Sequence, residues 1–216
     1  GEVGPLDAGA ASELARALLG DAPAALLERA AGHPLLLEEL ARLILRREPG
    51  ARVADLALPP SVEGAYLAQL DGMKPAERDF LKRASVFGRG FWVEGVAAVG
   101  GDVAAAAPLR AANFVVPRAR SRVEGAREMR FRVGLLQETA ALLLPDDARR
   151  RLHEGAARWL SGRKGATIDE LARHWEQAER RPEAAAAYAE AAAAAAAVAD
   201  TATACAHADR ALALSD

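Results

Sequence analysis

The sequence predicts a mainly α-helical chain with one β-hairpin near its middle and helical hairpins at its end. Three observations carry that reading. Apolar residues recur at helical spacing along most of the 216 residues. Alanine dominates the apolar fraction while aromatics are scarce, which favours closely packed helices over a sheet-rich core. Only the stretch 113–133 switches to the two-residue alternation of a half-buried strand.

The first module, residues 1–52, holds three short helices. Asp7 is placed to cap a helix carrying Leu14, Leu18 and Leu19 that stops at Gly20. Asp21 is placed to cap a second, with Pro23 in its first turn and Gly32 just past its end. Pro34 opens a third, with Leu36, Leu37, Leu40, Leu43 and Ile44 on its apolar face, and Pro49-Gly50 breaks it.

The second module, residues 53–145, begins with LALPPS, Leu56 to Ser61, an extended connector because residues before proline avoid helical geometry. Helices follow over Val62 to Leu70, with Val62, Tyr66 and Leu70 on one side, and from Lys74-Pro75, with Phe80, Leu81, Ala84 and Val86 inward. Two shorter helices are expected over Val93 to Val99 and Asp102 to Ala112. Asn113 then starts a strand through Phe114, Val115 and Val116. Glu128 to Val133 alternates Met129, Phe131 and Val133 against Arg130 and Arg132, and Ser121 to Ala126 with Gly125 forms the loop between. Short helices followed by one hairpin are the outline of a winged helix. Leu135 to Leu144 returns to helix.

The third module, residues 146–216, is helical throughout. Pro145-Asp146-Asp147 starts a helix to about Leu160, and helices from Ile168 onward are broken at Arg181-Pro182 and near Asp200. Alanines at packing positions beside Leu171, Trp175, Tyr188 and Leu212 resemble tetratricopeptide-type hairpins. An array stopping at Asp216 would leave its last helix uncapped, so further repeats are expected.

Composition excludes several classes of function. Basic and acidic residues number 28 and 30, a net charge of −2 that gives no global field for nucleic acid or an anionic membrane. The single cysteine, Cys205, forbids an intrachain disulfide, and its alanine-rich surroundings predict a small buried thiol in a reducing compartment. No signal peptide or bilayer-length apolar run is present, so a cytoplasmic location is expected. The sequence has no Walker A phosphate loop, no magnesium-holding acidic strand end, no nucleophile elbow and no kinase catalytic loop. No catalytic residue is assigned. His153 and His174 fall on separate helices without a CxxC pair or an HExxH helix, so packing is expected and no metal ligand is assigned. Glu38-Glu39 and Asp146-Asp147 are adjacent on helices and point apart, as capping or solvated acids do.

GHPLLLEEL, Gly32 to Leu40, is similar to the lid motif of the signal-transduction ATPases with numerous domains (STAND), a branch of the AAA+ fold. The motifs that follow keep that family's order, in the branch of LuxR-type regulators and cyclase- or kinase-linked ATPases. Leu58 to Phe91 resembles its lid-to-winged-helix passage through Leu67, Leu70, Pro75, Glu77, Arg78, Leu81, Ala84, Val86, Gly88, Arg89 and Phe91. FRVGLLQETA, RRRLHEGAARWL and LARHWEQAERRPEAAAAY resemble its later segments, so the likeness spans nearly the whole chain. Each motif is degenerate; their order is specific. One position departs: the family's histidine after Phe-Arg is Val133 here, which has no hydrogen-bonding side chain.

The resemblance implies the C-terminal part of a nucleotide-switched ATPase: helical lid, winged helix and the start of tetratricopeptide-like repeats. It places Gly32, His33 and Pro34 next to the nucleotide. Glycine permits close backbone approach, and proline presents an apolar face at a helix start whose N–H groups favour negative charge. ATP or ADP with magnesium is expected only with a preceding P-loop domain, the partner in cis; the chain itself would hold no cofactor and hydrolyse nothing. The helical repeats would take a protein partner or a small-molecule inducer, and the parent would oligomerise with nucleotide state. Whether the parent is an ATPase joined to a kinase, cyclase or transcription-factor output stays open at this point. Two other readings stand beside it. A DNA-binding winged-helix regulator draws on Arg118, Arg120, Arg122, Arg127, Arg130 and Arg132, but the preceding helix has one charge and few base-reading side chains. A helical-repeat interaction adaptor requires only that no ATPase core precede.

Overall fold

The computed structural model describes residues 6–46 and 61–215. The chain is mainly helical, with one small antiparallel sheet, and divides once, between Met73 and Lys74.

The first unit, Gly1–Met73, contains α1 (Ala8–Leu19), α2 (Ala24–Ala30), α3 (Pro34–Arg46) and α4 (Val62–Asp71). Asp7 caps α1 by accepting from the Ala10 amide at 2.8 Å, and Gly20 closes it in a left-handed conformation. Asp21 does not cap α2: Pro23 occupies the cap position, while the Asp21 carboxylate accepts from the adjacent Ala22 amide. The fixed φ of proline sets that helix start without a side-chain cap. Ala15, Leu26, Ala30, Leu37 and Leu40 form the core, joined by Ala65 of α4. The predicted break at Pro49-Gly50 and connector Leu56 to Pro60 lie outside the described residues. The helix assigned above to the second module thus packs on α3, in the first unit.

The second unit, Lys74–Asp216, begins with α5 (Pro75–Ser85). Pro75 at its start, Glu77 in its first turn and Lys82 and Arg83 in its last all suit the helix dipole. β1 (Gly90–Trp92), α6 (Val93–Ala98), a 3-10 turn (Val103–Ala105), α7 (Ala106–Ala111), β2 (Val115–Pro117) and β3 (Glu128–Phe131) follow. The sheet order is β1–β3–β2, antiparallel throughout, with Phe91 opposite Met129 and Val115 opposite Phe131. This element and sheet order is that of a winged helix. Pro117 sits on an edge strand, where its missing N–H costs no ladder bond. Phe80, Phe91, Phe131, Leu109 and Leu136 are fully buried; the Phe91 ring meets Phe131 at 5.3 Å and Phe80 at 5.9 Å.

α8 (Gly134–Leu142), α9 (Asp146–Leu160), α10 (Ile168–Gln177), α11 (Arg181–Ala197) and α12 (Thr201–Ser215) complete the unit. α11 buries Ala184, Ala187, Tyr188 and Ala191, a stripe at helical spacing. The Arg181 guanidinium at its start donates to the Ala213 and Leu214 carbonyls at the end of α12, so the two helices run antiparallel. Glu176 of α10 ties all three together, accepting from the Tyr188 hydroxyl at 2.7 Å and pairing with Arg210. Cys205 is exposed, not buried as its alanine neighbours suggested. The buried side of α12 runs through Ala204, His207, Ala211 and Leu214, and Cys205 lies one residue round from it. No helix among the described residues is long and apolar enough to cross a membrane.

Candidate functional site

The Gly32-His33-Pro34 turn joins α2 to α3. Two successive residues, Ala31 at φ 46° and Gly32 at φ 77°, take left-handed conformations that turn the chain sharply. The His33 amide donates to the Ala30 carbonyl at 2.8 Å, and the Gly32 carbonyl accepts from the Leu6 amide at 2.7 Å. The His33 carbonyl opens the helix by accepting from the Leu37 amide at 3.0 Å. Those polar backbone groups are occupied. What the turn offers outward is the exposed His33 imidazole and the half-buried Pro34 ring. These suit contact with the face or edge of a ring better than binding of phosphate, and nothing in the turn would hold magnesium.

Behind the turn, Glu39 is buried and accepts from Gln69 of α4 at 2.9 Å, and Glu38 pairs with Arg42 at 2.5 Å. Asp146 and Asp147 pair with Arg149 and Arg151 on their own helix. Neither acidic doublet forms a shared acid–base site.

In the second unit the hairpin is arginine-rich, and three of its arginines are engaged by carboxylates. Arg118 pairs with the buried Glu128 at 3.3 Å, Arg127 with Glu94 at 2.7 Å, and Arg122 with Glu170 of α10 at 2.7 and 3.2 Å. Burial pulls the Glu170 carboxyl upward, but its hydrogen bonds to Arg122 and Thr167 outweigh that and hold it below the usual value. Val133 holds the N-cap position of α8 with no side-chain hydrogen bond.

Spacing had separated His153 and His174; the fold brings them together. Their Nδ1 atoms lie 3.0 Å apart across the α9–α10 contact. At that distance one ring donates and the other accepts, so the two cannot both be protonated. Burial drives His153 down to about 4, aided by Arg149, and His174 down to about 3, aided by His153. The His174 ring also meets Phe87 at 5.7 Å. A cavity of about 400 Å³ opens beside the pair, lined by Phe87, Glu170, Arg173, Glu176 and Tyr188. Among the described residues no group of three or more His, Cys, Asp or Glu is placed to hold a metal ion. A signal for the pair was present in the sequence, in two histidines each on the inward side of its helix, but nothing there said that the two sides meet.

Comparison with family models, with curated proteins and with solved structures finds no match to this chain.

Proposed function

We propose that this chain is the regulatory part of a nucleotide-dependent signal-transduction ATPase, in which a lid and a winged helix couple nucleotide state to partner or effector binding. The observation that carries the reading is the Gly32-His33-Pro34 turn opening α3, entered through the left-handed pair Ala31 and Gly32, ahead of a winged-helix topology and helical hairpins in the order of the resembled family. The turn presents His33 and Pro34 outward with its backbone already bonded, which suits contact with the base of a nucleotide held elsewhere. Phosphates and magnesium would be the task of a P-loop domain, and chemistry would be absent from this chain. The lid would act as a two-state element biased by differential contact with ATP and ADP.

The test is nucleotide affinity. This chain alone is expected to bind ATP and ADP at best weakly, while the parent polypeptide binds tightly and loses about tenfold on Pro34→Ala. A parent without a P-loop, or one whose affinity is indifferent to Pro34, contradicts the reading.

Direct DNA recognition is the second reading. It draws on the arginine-rich hairpin, but the pairing of Arg118, Arg122 and Arg127 with carboxylates weighs against it, since phosphate contact would first have to break those pairs. Strongly salt-dependent retardation of duplex DNA by this chain would reverse that judgement.

A further inference from the structure

A hairpin tip that reads nucleic acid stands out into solvent; this one is folded against the chain that follows it. Val123, at the tip, is fully buried and packs in one cluster with Trp92, Trp159 and Leu160. Loop tips are ordinarily exposed, so complete burial of an apolar tip residue marks a docking contact.

Arg122 engages three elements at once. Its amide donates to Glu128 at 2.7 Å, holding the loop to β3. Its guanidinium makes the paired contacts with Glu170 at the start of α10 and lies 5.3 Å from the Trp92 ring centre. Its carbonyl is pressed against Gly165, where a β-carbon would sit only 1.7 Å from the oxygen. Two residues on, the Glu124 amide donates to the Lys164 carbonyl at 3.1 Å. The receiving side is preformed: Thr167 and Glu170 make a reciprocal capping box that presets the Glu170 carboxylate.

α9 packs directly on α6, with Gly155 close to Val99. α10 is therefore held from two sides, by α9 through the histidine pair and by the hairpin through Arg122. We infer that the hairpin tip is a strap that fastens α10–α12 to the winged helix, with Arg122 as its positioning residue, so that the two move as one lever. The inference concerns the second unit alone and holds whether or not a nucleotide-binding core precedes it. The Arg122–Glu170 pair keeps partial solvent exposure, at 43% and 20%, so the strap is open to competition by ions.

Spin labels on Cys205, exposed on α12, and on Ala107→Cys, exposed on α7, measure the lever in the full chain. Pulsed electron–electron resonance is expected to give one narrow distance distribution. Arg122→Ala and Glu170→Gln are each expected to broaden it about twofold, and their combination no further. Arg122→Lys, which keeps the charge but loses the fork, should broaden it part-way. Hydrogen exchange should show the Glu124 amide at least tenfold faster in Arg122→Ala, with the Phe131 amide, bonded to Arg89 just before β1, unchanged. A broad distribution in the unsubstituted chain, an unchanged width in Arg122→Ala, or equal loss of protection at Glu124 and Phe131 in Arg122→Ala would overturn the inference.

Discussion

Gly165→Ala should be among the most damaging single-methyl additions in the second unit. Gly165 has a φ of +92°, which an L side chain adopts at a cost of about 1–2 kcal/mol. The new β-carbon would lie 1.7 Å from the Arg122 carbonyl oxygen, against a practical limit of 3.0 Å, so the loop must retreat by more than an ångström. That retreat breaks the Glu124–Lys164 backbone hydrogen bond, worth about 1 kcal/mol, and loosens the half-exposed Arg122–Glu170 pair, worth about 0.5 kcal/mol. It also draws Val123 away from the tryptophans, at a further ~1 kcal/mol. The sum is about 3.5–4.5 kcal/mol. Gly162 is the control. It too is left-handed, at φ +71°, but a β-carbon there meets nothing within 4 Å, so Gly162→Ala should cost only about 1 kcal/mol. Trp92, Trp159 and Trp175 all lie in the second unit, so tryptophan fluorescence in a urea titration at pH 7.5 reports its unfolding directly. Equal stability of the two variants, within about 0.5 kcal/mol, would refute the close approach of the hairpin tip to residue 165.

Three further outcomes follow from the same unit. The unfolded chain protonates His153 and His174 near the ordinary value, whereas the folded pair stays neutral down to about 4 and about 3. Stability is therefore complete above about pH 7 and falls by roughly 1 kcal/mol per histidine between pH 7.5 and 5.5, and urea titrations of parent and His174→Phe should show the slope reduced in the variant. Thr167→Ala removes the capping box of α10 and should cost about 1 kcal/mol, read from the urea midpoint. Phe87→Ala deletes the ring that meets Trp92, Trp159 and His174, and should cost about 2–4 kcal/mol with a shift in tryptophan emission.

Where structure follows from local rules, the sequence was legible. Asp7 and Gly20 bound α1 because a carboxylate can reach the third amide and glycine can turn left. Pro75 starts α5 because its fixed φ and missing N–H cost nothing there. The alternation of Met129, Arg130 and Phe131 was read correctly as a strand with one face inward. β1 escaped notice because Gly90–Trp92 is too short to show a period and exists only by pairing with β3. Alanine misled at Cys205, because it is as content on an exposed helix face as on a buried one, so an alanine-rich neighbourhood does not reveal which side is covered. The histidine pair and the docked hairpin tip are long-range contacts, 21 and 48 residues apart in sequence, to which periodicity is blind. Of the Gly32-His33-Pro34 turn, the helix start at Pro34 was legible; the left-handed pair at Ala31 and Gly32 was not, because alanine rarely turns left and carries no local signal for it.

The most direct test of nucleotide sensing is photo-crosslinking of the parent polypeptide with 8-azido-ATP, followed by mass-spectrometric mapping of the labelled peptides. The azide reports what lies beside the adenine, which is the contact proposed for His33 and Pro34. Label within residues 30–40, removed by excess ADP and reduced in Pro34→Ala, is the predicted result. Efficient, competable labelling elsewhere in the polypeptide with none between residues 6 and 46 would contradict the account.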